Sequence, residues 1–234
     1  MLPNKPKQAP AQRPQLERWK AEIGSYALSD ITSALIVECR DKLSSEPTPR
    51  GEQRSPATVV RYMAALSHAF TIAVNEWQWL EDSPMRKVKK PKESRGRVRF
   101  LDDGERARLL TACKESSNTW LYHCVILALS TGMRQGELMG LKWQDVNLKD
   151  GYLILHQTKN GERRRVPLAG LGLELLREHA KVRRLDTDLL FPGTANKTKP
   201  IDLRKPFQNA LQAAVINDFH WHDLRGTAQR HIWP

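Results

Sequence analysis

The strongest helical pattern in the first half of the chain starts at Ser55 and Pro56, an N-cap followed by proline at the first helical position. Its apolar positions recur at steps of three and four and comprise Val59, Met63, Leu66, Phe70, Val74 and Trp77. Two weaker helical patterns cover residues 14–23 and 32–43, behind a polar stretch containing several prolines. We therefore predict a disordered tail over residues 1–13 and a helical domain over residues 14–84.

The pattern beyond residue 100 predicts a second domain, over residues 100–234, that mixes helices with a hairpin. Asp102 and Glu105 have the spacing of a capping box. Residues 120–129 are apolar nearly all round, which is typical of a buried central helix, and this run ends at Gly132. Residues 152–168 read as two strands around Asn160 and Gly161, a pair that favours a tight hairpin turn. Further helical patterns cover residues 171–183 and 202–216. The predicted fold class is mainly α with a small β-hairpin or sheet (α+β).

Between the two domains, residues 85–99 lose all periodicity and carry eight basic residues against one acid, Glu93. We interpret this segment as a linker whose charges contact a phosphate backbone, because such contacts release counterions and add affinity without reading sequence. The alternative is a solvated hinge with incidental charge. The candidate DNA contacts in this linker are Lys87, Lys89, Lys90, Lys92, Arg95, Arg97 and Arg99.

The composition favours a polyanionic partner. The 234 residues carry a formal net charge of +12, with a pI near 9.8. Nucleic acid fits best; an acidic membrane is the rival, and no aromatic motif typical of RNA recognition is present. The sequence has no continuous apolar run of eighteen residues and no signal-peptide pattern, so we expect a cytoplasmic protein without a membrane partner. Cys39, Cys113 and Cys124 lack CxxC spacing and are expected to be reduced core residues.

Three short segments carry the candidate chemistry: residues 131–138 (TGMRQGEL), Lys159, and residues 222–225 (HDLR). Taken singly, each has an ordinary interpretation, as a surface arginine, an exposed hairpin lysine or a polar helix start. In this order, and with the helical domain and the basic linker before them, they resemble the tyrosine recombinase family, the phage integrases. The resemblance covers nearly the whole chain. It implies a helical core-binding domain followed by an integrase-like catalytic domain.

The resemblance also implies roles for individual residues. Arg134 and Arg225 would bind the nonbridging oxygens of a phosphodiester, for which planar guanidinium groups are suited. His222 would exchange a proton beside the same phosphate, and Lys159 would protonate the departing 5′ oxygen. Glu137 matches a position that orders the active-site arginine, or is an acid on a helix surface. Arg163 and Arg165 are candidate phosphate or strand-face contacts. A metal site at His220 and His222 is disfavoured, and no cofactor is expected.

The sequence departs from the family pattern at the nucleophile. In the family, a tyrosine after the His-x-x-Arg segment attacks the phosphorus. The tyrosines here are Tyr26, Tyr62, Tyr122 and Tyr152, all before His222 and all interpreted as packing residues. We expect a chain truncated at its C-terminus, and shortened at its N-terminus, that is deficient in DNA cleavage. The alternative is an inactive DNA-binding protein that occupies recombination sites or competes with a full-length integrase. Expected partners are double-stranded DNA and either further copies or full-length recombinase subunits.

Overall fold

The computed structural model describes residues 9–94, 96–156 and 163–230, without the side chains of residues 229 and 230. The chain divides into two compact units, Met1–Gly96 and Arg97–Pro234. This division lies inside the predicted linker. Each unit has its own hydrophobic cluster.

The first unit is helical, as predicted. Its helices are α1 (Ala9–Ile23), α2 (Ser33–Ser45) and α3 (Pro56–Asn75), followed by a short 3-10 turn at Pro84–Lys87. Thr32 caps α2 and Ser55 caps α3, each by accepting a backbone N–H from the residue three positions later. Met85 and Val88 are buried in the same cluster as the helices. The first four residues of the predicted linker therefore belong to the first unit.

Two boundaries differ from the prediction. Residues 9–13, expected in a disordered tail, form the first turns of α1, so Pro14 lies inside the helix. At the other end, α3 stops at Asn75, and Trp77 is 53% exposed instead of completing the apolar stripe. The chain turns sharply there, because Gln78 has a positive φ of 53° and the N–H of Trp79 returns to the carbonyl of Ala73.

By length and composition, α3 could cross a membrane, with a mean hydropathy of 1.3 over its most apolar window. It is the one such helix within the described residues. Its Val59, Met63 and Phe70 side chains are buried in the core of the first unit. A core helix of a folded domain has the same composition.

The second unit contains six helices within its described residues: α4 (Asp103–Lys114), α5 (Leu121–Thr131), α6 (Gln135–Met139), α7 (Gly170–Lys181), α8 (Arg204–Ala213) and α9 (Trp221–Arg230). α5 is the buried central helix that the sequence predicts, and Gly132 ends it in the left-handed region with φ +61°. Asp102 and Glu105 form the predicted capping box. α9 packs against α5, and α4 against both α5 and α8.

A small antiparallel sheet lies between α6 and α7. Its strands, β1 (Val146–Asn147), β2 (Tyr152–Leu155) and β3 (Arg164–Pro167), pair in the order β1-β2-β3. The pairing of β2 with β3 confirms the predicted hairpin, and the α+β fold class is confirmed as well. The sequence did not reveal β1, because two residues are too short for an alternating pattern.

The three cysteines are free and buried, as predicted. Burial raises the pKa of Cys113 to about 12 and that of Cys124 well above its usual value. These thiols remain protonated at neutral pH and behave as apolar core residues.

Candidate functional site

Glu137 binds both the backbone and the side chain of Arg134. The backbone N–H of Arg134, the residue before α6, donates to Oε2 of Glu137 at 2.9 Å, and its Nη1 donates to Oε1 at 2.7 Å. The Glu137 side chain is only 9% exposed, which argues against a plain surface acid, whereas Arg134 stays 41% exposed. Glu137 therefore holds Arg134 in place while most of its five N–H donors remain available.

A second guanidinium approaches the same carboxylate. Nη2 of Arg164, on β3, lies 3.5 Å from Oε2 of Glu137. Burial opposes ionisation of Glu137, but the hydrogen bonds from Arg134 and the charges of both arginines outweigh it, so the pKa of Glu137 lies below its usual value. Glu137 is therefore ionised at neutral pH and links the sheet to the loop before α6.

The loop carrying Arg134 packs against α9. A Cβ placed on Gly132, two positions before Arg134, would lie 3.7 Å from Cβ of Ala228 and 4.0 Å from Cγ of Arg225. Residues 131–138 and 222–225, which are about ninety positions apart in the chain, thus meet in the second unit.

His222 and Arg225 lie three residues apart on α9 and therefore on neighbouring positions of one helix face. His222 is exposed and Arg225 is half-buried. Among the described residues, neither the imidazole nor the guanidinium has a hydrogen-bond or ion-pair partner. Both side chains are therefore free to bind a ligand.

The arrangement suits an anion with several oxygens. Arg134 and Arg225 supply two positive charges with planar N–H donors, and His222 supplies an imidazole that can donate or accept a hydrogen bond. A phosphate diester matches these groups in charge and in hydrogen-bonding capacity. Among the described residues, no group of three histidine, cysteine, aspartate or glutamate side chains is gathered as a metal site.

The predicted general acid, Lys159, lies outside the described residues, as do Asn160 and Gly161 at the predicted turn. The last described pair of the hairpin is Leu155 with Arg164. Of the hairpin arginines, Arg163 is exposed.

Arg165 lies over a neighbouring ring of the sheet: its guanidinium carbon is 3.6 Å from the centre of the Tyr152 ring. This cation–π contact agrees with the strand-face alternative for Arg165.

The base of the hairpin contains a pair that the sequence did not indicate. Nε2 of His156, directly after β2, lies 3.0 Å from Oδ1 of Asp145, without the alignment of a hydrogen bond. Asp145 is buried, and its Oδ2 accepts the backbone N–H of Lys142 at 2.9 Å. Eleven residues separate His156 from Asp145, so no helical or strand spacing could have revealed the pair.

The linker candidates fall into two groups. Four exposed lysines have no ion-pair partner among the described residues: Lys87, Lys89, Lys90 and Lys92. They remain available to phosphates, whereas Arg95 lies outside the described residues.

Arg97 and Arg99 instead bind carboxylates of the second unit. Arg97 pairs with Asp218 at 3.0 Å and with Asp223 at 3.1 Å. Nη1 of Arg99 donates to Glu105 at 2.8 Å. A phosphate contact by either arginine would compete with these partners.

Of the four tyrosines, Tyr26 and Tyr62 lie in the first unit, and Tyr122 and Tyr152 lie in the second. Tyr122 lies under Lys114, and Tyr152 lies under Arg165. Tyr26 is 48% exposed and follows α1, so interpreting it as a packing residue was wrong.

Comparison with known proteins places this site in a family context. The profile of the phage integrase family matches residues 99–233. The shufflon-specific DNA recombinase of Escherichia coli is 36% identical over 205 residues, which are 86% of this chain and 50% of that protein. The integrase of Salmonella phage P22 is 27% identical over 203 residues, again covering 50% of that protein. The chain thus spans about half the length of these curated relatives.

Solved structures agree on the fold. A lambda integrase dimer bound to a COC′ core site superposes with a TM-score of 0.75 at 24% identity, over 97% of this chain and 80% of that chain. The Tn1549 transposon integrase in complex with circular intermediate DNA gives a TM-score of 0.73 at 16% identity, over 96% and 80% of the two chains. At these identities, the similarity concerns the fold.

Proposed function

Because the chain belongs to the phage integrase family of tyrosine recombinases, we propose that it binds duplex DNA and that its second unit holds a phosphodiester for site-specific recombination. The observation that carries the proposal is the packing of Gly132 against Arg225. It brings the Arg134 loop next to the helix bearing His222 and Arg225.

The proposed roles follow from the chemistry of each group. Arg134 and Arg225 stabilise the charge that develops on the nonbridging oxygens, and losing such a charge clamp costs about a thousandfold or more in phosphoryl-transfer enzymes. His222 exchanges a proton at the same phosphate. Lys159 is the general acid that the family resemblance implies, and Glu137 holds Arg134.

In a polypeptide limited to these 234 residues, every tyrosine precedes His222 in the sequence. Its last tyrosine in sequence is Tyr152, which lies on β2 under Arg165. We therefore propose that this polypeptide binds DNA but forms no covalent phosphotyrosine by itself. A full-length recombinase subunit would have to supply the nucleophile.

The proposed DNA contacts are the free lysines Lys87, Lys89, Lys90 and Lys92, together with Arg163 on the hairpin. A salt titration of duplex binding tests them. Each phosphate contact contributes a slope of about −0.9 in log affinity against log salt, so changing all four lysines to Gln should reduce the slope by about three to four units. A flat salt response of the unmodified polypeptide would overturn the DNA proposal.

The alternative function is binding without chemistry, in which the polypeptide occupies recombination sites or competes with a full-length recombinase. For a polypeptide of these 234 residues, it is the function that remains when no full-length recombinase subunit is present to supply a tyrosine. The two proposed functions, cleavage in trans and binding alone, predict different products in mixed assemblies with a family recombinase whose tyrosine is intact.

The discriminating variant is Arg134→Ala, with Lys205→Ala as a control that removes one exposed charge from α8. If the polypeptide takes part in cleavage in trans, Arg134→Ala abolishes the covalent product formed on its half-site. If the polypeptide only binds, Arg134→Ala lowers its affinity for DNA modestly. No covalent product then forms on that half-site, with or without the substitution.

A further inference from the structure

Residues 97–101, hereafter the strap, run along one side of α9. The backbone N–H of Leu101 donates to Oγ1 of Thr227 at 3.2 Å, and Thr227 is buried. At the preceding residue of α9, a Cβ placed on Gly226 would lie 3.0 Å from Cε1 of Phe100. The helix that carries His222 and Arg225 is therefore held from its side by the first residues of the second unit.

Arg97, at the start of the strap, ties together the residues that lead into α9. Its guanidinium pairs with Asp218 at 3.0 Å and with Asp223 at 3.1 Å. It also donates to the carbonyl of Asp218 and contacts Nδ1 of His220. Asp223 directly follows His222, so Arg97 acts one residue away from a proposed phosphate ligand.

We propose that Arg97 is a positioning residue for the phosphate site, acting through Asp218 and Asp223 rather than by touching the phosphate. The proposal deepens the proposed function and rests on it. It assigns Arg97 a different task from the DNA contact that its place in a basic segment predicts.

The first reason is geometric. Asp223, the third residue of α9, ties the helix to the residue before it: its Oδ2 accepts the backbone N–H of His220 at 2.8 Å, and its carbonyl accepts the Thr227 hydroxyl at 3.1 Å. Asp218, in the turn before the helix, has a positive φ of 51°, which is strained for a residue with a side chain. Arg97 binds both the Asp218 carbonyl in this turn and the Asp223 carboxylate. These two contacts fix the start of α9 and the orientation of the His222 side chain.

The second reason is electrostatic. Two carboxylates, Asp218 and Asp223, lie beside the helix start that the phosphate would approach. Without a cation they would repel an anion bound at His222 and Arg225. Arg97 balances both charges, and Asp223 is only 12% exposed, so water screens it poorly.

The test measures the affinity of the 234-residue polypeptide for inorganic phosphate. Binding is monitored through the NMR signal of the His222 ring. The ring signal is assigned by its loss in His222→Gln. The variants are Arg97→Ala, Arg97→Lys and the double variant Arg97→Ala with Asp223→Asn. Lys205→Ala is the matched control for loss of one positive charge.

We expect Arg97→Ala to weaken phosphate binding about fivefold, the effect of one unit charge acting near a protein surface. Lys205→Ala should stay within about twofold of the unmodified polypeptide. Arg97→Lys should lie between them. If the double variant regains affinity for phosphate, Arg97 acts mainly by balancing the charge of Asp223. If the loss persists, Arg97 acts mainly by fixing the geometry at the start of α9.

The proposal is overturned if Arg97→Ala and Lys205→Ala bind phosphate equally well. Arg225→Ala separates this failure from failure of the phosphate site itself. If Arg225→Ala leaves phosphate binding unchanged, the proposed function is wrong at its centre, whatever Arg97 does. Should Arg97→Ala fail to fold by circular dichroism, the comparison of Arg97→Lys with Lys205→Ala decides in the same way.

Discussion

Glu137 accepts two hydrogen bonds from a single residue, Arg134, one from the backbone N–H at 2.9 Å and one from the guanidinium at 2.7 Å. The pair closes the loop between α5 and α6 and gives Arg134 one orientation. Because the carboxylate is half-buried and ionised, its loss has a predictable cost.

The substitution Glu137→Gln keeps the volume and removes the charge. We expect it to lower the free energy of unfolding by about 1.5 to 3 kcal/mol at pH 7, the range for hydrogen bonds to a charged group. Urea unfolding measures the change. Glu174→Gln, at an exposed position of α7 without a recorded partner, is the control and should change stability little.

The same pair predicts a pH dependence. The pKa of Glu137 is lower in the folded protein than in the unfolded chain, where it is about 4.3. The stabilisation is therefore complete above about pH 5 and is lost as the pH falls through the lowered folded pKa. The gap between the unmodified polypeptide and Glu137→Gln should narrow below pH 4, and a constant gap down to pH 3 would contradict this account.

Replacing Gly132 with alanine should carry a conformational cost rather than a steric one. A Cβ at this position would meet its neighbours at ordinary contact distances, but its φ of +61° is unfavourable for any residue with a side chain. Gly132→Ala should destabilise the second unit by about 1 to 2 kcal/mol. Gly136→Ala is the contrast, because Gly136 lies in α6 with open space around it and alanine favours a helix. Equal effects in thermal unfolding would refute the explanation.

Because of His179, we expect the free energy of unfolding to fall in mild acid. This residue is buried, its Nε2 donates to the carbonyl of Leu190 at 2.7 Å, and its ring stacks on Phe191. Burial lowers the pKa of His179, and also that of His123 nearby. The unfolded chain therefore binds more protons below about pH 6.5, and stability falls as the pH drops, by at most about 1.4 kcal/mol per pH unit for each such histidine.

Replacing His179 with Gln keeps a hydrogen-bond donor and removes the titration. The decline in unfolding free energy between pH 7 and pH 5.5 should become shallower, with a remainder from His123. His68→Gln, at an exposed position of α3, should leave the decline as it is. An unchanged decline in the His179 variant would show that the acid sensitivity arises elsewhere.

The cysteines should resist alkylation in the native state. Cys113 and Cys124 are buried with raised pKa values, so little thiolate is present at pH 8. Iodoacetamide followed by mass spectrometry should label both slowly without denaturant and rapidly in urea. Fast native labelling of either residue would contradict the packing of α4 or α5.

Local patterns predicted those parts of the fold that depend on neighbours in the chain. Ser55 and Pro56 start α3, Asp102 and Glu105 cap α4, and Gly132 ends α5, because each signal acts within one helical turn. The hairpin was predicted from the turn pair Asn160 and Gly161 between two strand-like runs. The end of α3 before Trp77 was missed, since the apolar spacing continues past the point where the backbone turns.

The candidate site shows the limit of such patterns. Arg134, His222 and Arg225 were found through the resemblance of short motifs to a family. The partners of Arg97 were not, because Asp218 and Asp223 lie more than 120 residues further along the chain. A run of basic residues predicts charge but not which members of the run meet carboxylates after folding.

The contact between Leu101 and Thr227 joins residues 126 positions apart. During synthesis, the first unit emerges from the ribosome well before α9 does. The first unit is therefore free to fold while the second is still being synthesised. The central helix α5 ends about ninety residues before α9 begins, so its face toward α9 stays uncovered while those residues are added to the chain. A chaperone that binds apolar surface would have its target on α5 until Thr227 has emerged.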